Sequence, residues 1–81
     1  MTLKIQVIDN EYCPVVICDQ CGERIVGTGN YEWQPDGDGT IYFTHKQCCK
    51  IFEVQHGGRI GWYTAEIMDL LVYLRVNLKA E

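Results

Sequence analysis

Cys18 and Cys21 enclose two residues, His45 and Cys48 enclose two more, and the 23 residues 22–44 separate the pairs. Two short pairs of thiolate and imidazole donors at that separation match a tetrahedral site of three cysteines and one histidine for zinc. Four protein ligands leave no position for a substrate water, so the spacing points to one structural zinc ion rather than a catalytic one. Cys49 also stands within reach, because on a helix a residue four beyond His45 points much as one three beyond does. The fourth ligand is therefore Cys48 or Cys49. The two-residue gap common in zinc fingers favours Cys48, which leaves Cys49 the role of a small buried hydrophobe.

Two other groups invite chemistry. Asp36-Gly37-Asp38 resembles the start of a calcium loop but lacks the glycine at position six and the distal glutamate, so a turn is expected. His56 is an alternative ligand or general base, although its place beside Gly57 fits the end of a helix, where histidine meets the negative pole of the dipole. No nucleophile, base and orienting group assemble without borrowing the zinc ligands, so no enzyme is expected.

The elements that must position the ligands are short. The chain has 81 residues, 47% hydrophobic, with two tryptophans, five tyrosines and two phenylalanines. That is enough for a single domain spanning 1–81 with one core, at a size where a metal commonly supplies the missing stability. Leu3 to Ile8 alternates as a half-buried strand, Asp9-Asn10-Glu11 is turn-like, and Val15-Val16-Ile17 leads into Cys18, which together make an N-terminal β-hairpin. Pro14 lacks a backbone donor, so its strand starts there or runs along an edge. Cys21-Gly22 fits a zinc knuckle. Tyr31-Glu32-Trp33-Gln34 and Thr40-Ile41-Tyr42-Phe43 make a second hairpin that delivers His45. Thr44 and Gln47 read as a capping box for a short helix at the zinc site, from His45 to about Gln55, stopped by Gly57-Gly58. A C-terminal helix is expected over 64–78, with Thr64 as its N-cap. Ile67, Leu71, Leu74 and Leu78 form its core stripe, and Met68, Val72 and Val76 a second apolar flank. The fold class is α+β, a small zinc-binding domain.

Composition bounds the partners. The net charge of −4, from 7 basic and 11 acidic side chains, argues against general nucleic-acid affinity, and ligand thiolates around a dication leave the chain more acidic still. The first residues lack the layout of a secretory signal, and no run reaches about 18 apolar residues, so no membrane partner and a cytoplasmic location are expected. There Cys13 and the other four cysteines stay reduced, and their odd number opposes a disulfide framework.

The Cys18-x2-Cys21, His45-x2-Cys48 pattern, with Ile25 and Gly27 after the first pair and Tyr42-Phe43 before the histidine, resembles the first zinc site of a LIM domain. It is also similar to a poly(ADP-ribose) polymerase-type zinc finger. The resemblance covers about residues 15–55 and implies a zinc-organised finger. LIM domains continue into a second site, and Ile51 stands where its next cysteine would be. The reading that follows is a small zinc-stabilised binding or adaptor module with a protein partner. The alternatives are a nucleic-acid-binding finger using Lys46, Lys50 and Arg59, with Trp33 or Trp62 stacking a base, and a thiol redox or metal-handling protein using Cys18-x-x-Cys21 and Cys48-Cys49. Trp33 and Trp62 otherwise read as core residues with a polar edge at the surface.

Overall fold

The computed structural model describes residues 3–58 and 61–79; Arg59 lies outside them. Strand β1, Leu3–Ile8, pairs antiparallel with β2, Glu11–Ile17, from Leu3 opposite Val16 to Ile8 opposite Glu11. Asp9 and Asn10 form the connection at φ 51° and 66°. A two-residue turn with both φ positive matches the strand twist, and Asp and Asn tolerate that region better than other side chains. β2 runs through Pro14 rather than starting there. Its other neighbour, β3 (Arg24–Ile25), pairs only with Val16 and Ile17, so the strand ladder on that side does not need a donor from Pro14.

The second sheet has the order β5-β4-β6, antiparallel throughout. Its strands are β4, Asn30–Trp33, β5, Tyr42–Thr44, and β6, Tyr63–Glu66. The hairpin β4-β5 is the expected one. Its connection is a turn, with the Gly37 amide donating to the Gln34 carbonyl at 3.0 Å and the Thr40 amide to Asp38 Oδ1 at 2.9 Å.

Strand β6 corrects the sequence reading. Thr64 is not a helix N-cap; it lies opposite Glu32 in the sheet, and helix α2 starts later, at Ile67–Lys79. The Ile67 amide donates to the Gly29 carbonyl at 3.0 Å, which satisfies one of the donors the first turn leaves open. Gly29 cannot be replaced here, because a Cβ would lie 2.7 Å from Ile25 Cγ2 and 3.2 Å from the Thr44 carbonyl oxygen.

The capping box also fails to form. Thr44 sits in β5, and its hydroxyl donates to Glu32 Oε2 at 2.8 Å. Residues 46–48 are a turn in which the Cys48 and Cys49 amides both donate to the His45 carbonyl, and α1 is Cys49–Gln55. Its end agrees with expectation: the Gly58 amide donates to the Glu53 carbonyl at 2.9 Å across Gly57, whose φ of 102° suits glycine.

The core cluster is Tyr31, Phe43 and Leu70, with Val16, Ile25, Trp33, Ile41, Ala65 and Ile67 packed on it. Trp33 stacks between Tyr31 and Tyr63, and Trp62 packs edge-on against Tyr42 and Phe52, so both indoles serve packing. The expected core stripe of α2 is overturned in part. Leu70, outside that stripe, is the buried residue of the helix, whereas Leu71, Leu74 and Leu78 are exposed to 53%, 45% and 82%. The helix meets the cluster through Leu70 and Ile67, and beyond them its apolar residues face outward. No helix of the described residues is long and apolar enough to cross a membrane.

Candidate metal centre

Cys18 ends the buried run that β2 begins, and its amide donates to the Glu23 carbonyl at 2.8 Å, folding 18–23 back on itself. Gly22, at φ 79°, donates to the Cys18 carbonyl at 3.0 Å and makes that knuckle possible. The amides of Gln20, Cys21 and His45 reach Cys18 Sγ at 3.4, 3.5 and 3.5 Å. Burial pushes the Cys18 thiol up, but these amides, with the Cys21 side chain, outweigh it and bring the thiol down to about 7.

Asp19 joins the knuckle to β5. Its amide donates to the Phe43 carbonyl at 2.7 Å, and its Oδ2 accepts the Phe43 amide at 2.8 Å. Two residues past Phe43 comes His45. Its Nε2 lies 3.1 Å from the Arg24 carbonyl, so that nitrogen carries the proton and donates, leaving the Nδ1 lone pair as acceptor. Nδ1 is 3.4 Å from Cys21 Sγ and 3.9 Å from Cys48 Sγ.

The ligand atoms of Cys18, Cys21, His45 and Cys48 thus lie within 4.8 Å of one another, close enough to hold one metal ion. Cys18 is buried, His45 and Cys48 are half-buried, and Cys21 is exposed, so the cluster opens on one side. Burial, then the neighbouring Cys18 and Cys21 side chains, push the Cys48 thiol up to about 11. A divalent cation reverses that ordering, because it favours every thiolate in reach.

Cys49 does not join them. It faces a second cluster, unforeseen from sequence, in which its Sγ lies 3.2 Å from Glu32 Oε1 and 3.0 Å from Glu53 Oε2. The Thr64 hydroxyl donates toward the same two oxygens at 3.4 and 3.3 Å. Glu32 is 0% and Glu53 5% exposed. Burial, then the hydrogen bond to Glu53, push the Glu32 carboxyl up to about 7. Burial, then the Glu53 and Glu32 contacts, push the Cys49 thiol up to about 12, so it stays protonated as a donor. The ligand atoms of Glu32, Cys49 and Glu53 are also mutually within 4.8 Å. Their S···O distances, however, are shorter than the roughly 3.5 Å edge that sulfur and oxygen show around one zinc, and fit hydrogen bonds instead.

His56 belongs to neither group. Its Nδ1 lies 2.8 Å from the Phe52 carbonyl, and its ring stacks on Phe52 at 4.1 Å. Sequence reasoning missed Asp19, Glu32, Glu53 and Thr64. The available signals were a lone carboxylate between aromatic residues in Tyr31-Glu32-Trp33, and Cys49 with Glu53 one helical turn apart. In comparisons with known proteins, no family model, no curated protein and no solved structure matches this chain, so the resemblance to LIM and polymerase-type fingers rests on the ligand spacing and the few residues around it.

Proposed function

We propose that Cys18, Cys21, His45 and Cys48 hold one zinc ion that cross-links the two sheets of a small protein-binding module in the cytoplasm. The observation that carries this reading is the convergence of these four side chains with His45 Nδ1 turned inward by the Arg24 carbonyl. Zinc–sulfur bonds of about 2.3 Å and zinc–nitrogen bonds of about 2.0–2.1 Å give a tetrahedral S···N edge of roughly 3.5–3.6 Å, and the distances of 3.4 and 3.9 Å straddle it. Thiolate and imidazole donors suit zinc, and four protein ligands leave it no open position, which supports a structural role over an enzymatic one.

The nucleic-acid alternative gains little support. Lys46 is paired on the surface with Glu66 at 2.8 Å, which places an acid beside one of the cations that reading uses. The test is native mass spectrometry with and without a chelator. One zinc per chain, and loss of folded signal on chelation, is expected; a metal-free protein with an unchanged melting temperature would remove the proposal.

A further inference from the structure

The connection of the β4-β5 hairpin shapes a cavity that the metal centre does not use. It is lined by Gln34, Gly37, Asp38, Thr40 and Tyr42 and has a volume of about 330 Å³, at the lower end of the roughly 300–1,000 Å³ of small-ligand pockets. The loop holds this shape by its own bonds. The Gly37 amide donates to the Gln34 carbonyl, and a Cβ at Gly37 would stand 3.2 Å from that oxygen. The Thr40 amide, donating to Asp38 Oδ1 at 2.9 Å, closes the turn. Tyr42 is held by Phe52 and Trp62, whose ring centres lie 5.2 and 5.9 Å from its own.

The balance of donors and acceptors in the lining selects the ligand. The Gln34 amide is turned with Oε1 on the Gly37 side, 3.7 Å from a Cβ built there, and with Nε2 toward Gly57 at the end of α1. The Thr40 hydroxyl donates to the exposed Asp38 carboxyl and, with the Thr40 amide, holds it below its usual range, so it is charged at neutral pH. The cavity therefore offers a carboxylate, an amide oxygen, two hydroxyls with free lone pairs and an aromatic ring, and no cationic side chain. An anion would meet Asp38, and a sugar would need donors that are mostly taken. A cation bearing N–H groups needs only acceptors.

We infer that this cavity seats the cationic side chain of a lysine or arginine from a partner protein. Asp38 supplies the opposite charge, Gln34 and Thr40 supply acceptor oxygens, and the Tyr42 ring supplies apolar contact for the stem and a π face for the head. Residues 35–39 at the rim are exposed, which leaves room for the partner's backbone. The chain's net charge of −4 favours a basic partner over an acidic one.

This deepens the binding-module reading by naming the chemistry of its partner, and rests on that reading for the partner being a protein but not for the metal. The experiment is an amide NMR titration of the zinc-loaded full chain with short capped peptides carrying one central lysine, arginine or norleucine, and with spermidine, at matched ionic strength. Zinc content is measured on the same samples. The amides of Gly37, Asp38, Thr40 and Tyr42 are expected to shift and saturate with both cationic peptides at a Kd of about 1 mM, and to ignore the norleucine peptide. Asp38→Asn keeps an acceptor for the Thr40 amide, so it is expected to stay folded with one zinc and to weaken binding about fivefold. Asp36→Asn removes the same charge outside the lining and is expected to weaken it by less than about twofold. Absence of saturable shifts at these amides in zinc-replete protein overturns the inference, as do equal shifts from the norleucine peptide or equal losses in the two variants. Binding of spermidine without either cationic peptide also overturns it and assigns the cavity to a free polyamine. Binding of the cationic peptides by a folded chain that takes up no zinc upholds the cavity and overturns the metal reading instead.

Discussion

Cys48 and Cys49 are neighbours in the chain and belong to opposite kinds of site. Cys48 faces two thiols and an imidazole at the end of a knuckle whose backbone amides already favour negative charge on Cys18. Cys49 faces two carboxyls walled in by Thr44, Thr64 and the helix, where an added negative charge has nowhere to go. The difference teaches what each cluster needs to be stable. Three thiols and an imidazole converge, with His45 Nδ1 at 3.4 and 3.9 Å from two sulfurs, at separations that suit ligands around one cation. Two buried carboxyls and a thiol already touch at 3.0 and 3.2 Å and need only protons. The wall between them is one residue thick, because α1 begins at Cys49 and its axis turns successive side chains about 100° apart.

The comparison breaks first at the metal. Removing zinc, or making Cys18→Ser, is expected to unfold the protein, since structural zinc contributes on the order of 10–16 kcal/mol in small fingers. Circular dichroism during chelator titration checks this. Substituting Cys13, a half-buried residue of β2 outside both clusters, by serine is expected to leave zinc stoichiometry unchanged.

That asymmetry also explains what could be read from sequence. The convergence of Cys18, Cys21, His45 and Cys48 was legible because they come in close pairs at a separation that a metal site restricts; Gly22 completes the signal. The carboxyl cluster was not, because Glu32, Cys49, Glu53 and Thr64 come from β4, α1 and β6 and meet only after the second sheet forms and α1 packs beside it. The same long-range contacts defeated two local signals. Thr44 and Thr64 each look like helix caps, yet their hydroxyls are taken by Glu32 and Glu53, which makes them strand residues. The two hairpins and the end of α1 were legible because turn chemistry decides them within a few residues. The α2 stripe is apolar as periodicity indicates, but past Ile67 it is not internal, because periodicity reports amphipathicity and not burial.

Proton dependence separates the two clusters next. The Glu32 pKa is raised from 4.5 to about 7, so the folded state holds a proton that the unfolded state releases. Stability from this group is therefore full below about pH 4.5, falls as pH rises toward 7 and levels above it, by about 3 kcal/mol in all. The proposed zinc site predicts the opposite slope, because acid protonates ligand thiolates. Zinc-loaded protein should accordingly be most stable between an acid limb set by metal loss and a neutral limb set by Glu32. Glu32→Gln keeps a polar group in place without a titrating proton, so denaturant midpoints for this variant are expected to lose the neutral limb and keep the acid one. A neutral limb that survives the substitution would assign it elsewhere.

The smallest effect sharpens the comparison most. Cys49→Ala removes a thiol that donates to two carboxyls and a modest apolar volume, so the expected loss is about 1 kcal/mol, the scale of one neutral hydrogen bond or a small core truncation. The mild cost follows from the chemistry of the pair. Glu32 and Glu53 can share a proton with each other, and Thr44 and Thr64 still donate to them, so neither oxygen pair is left bare. Zinc should remain at one per chain in Cys49→Ala and be lost in Cys48→Ala, measured on metal-saturated, desalted protein. Retention in the second variant with loss in the first would exchange the two cysteines between clusters, and would take from Glu32 a hydrogen bond that partly offsets the upward push of burial and Glu53 on its carboxyl.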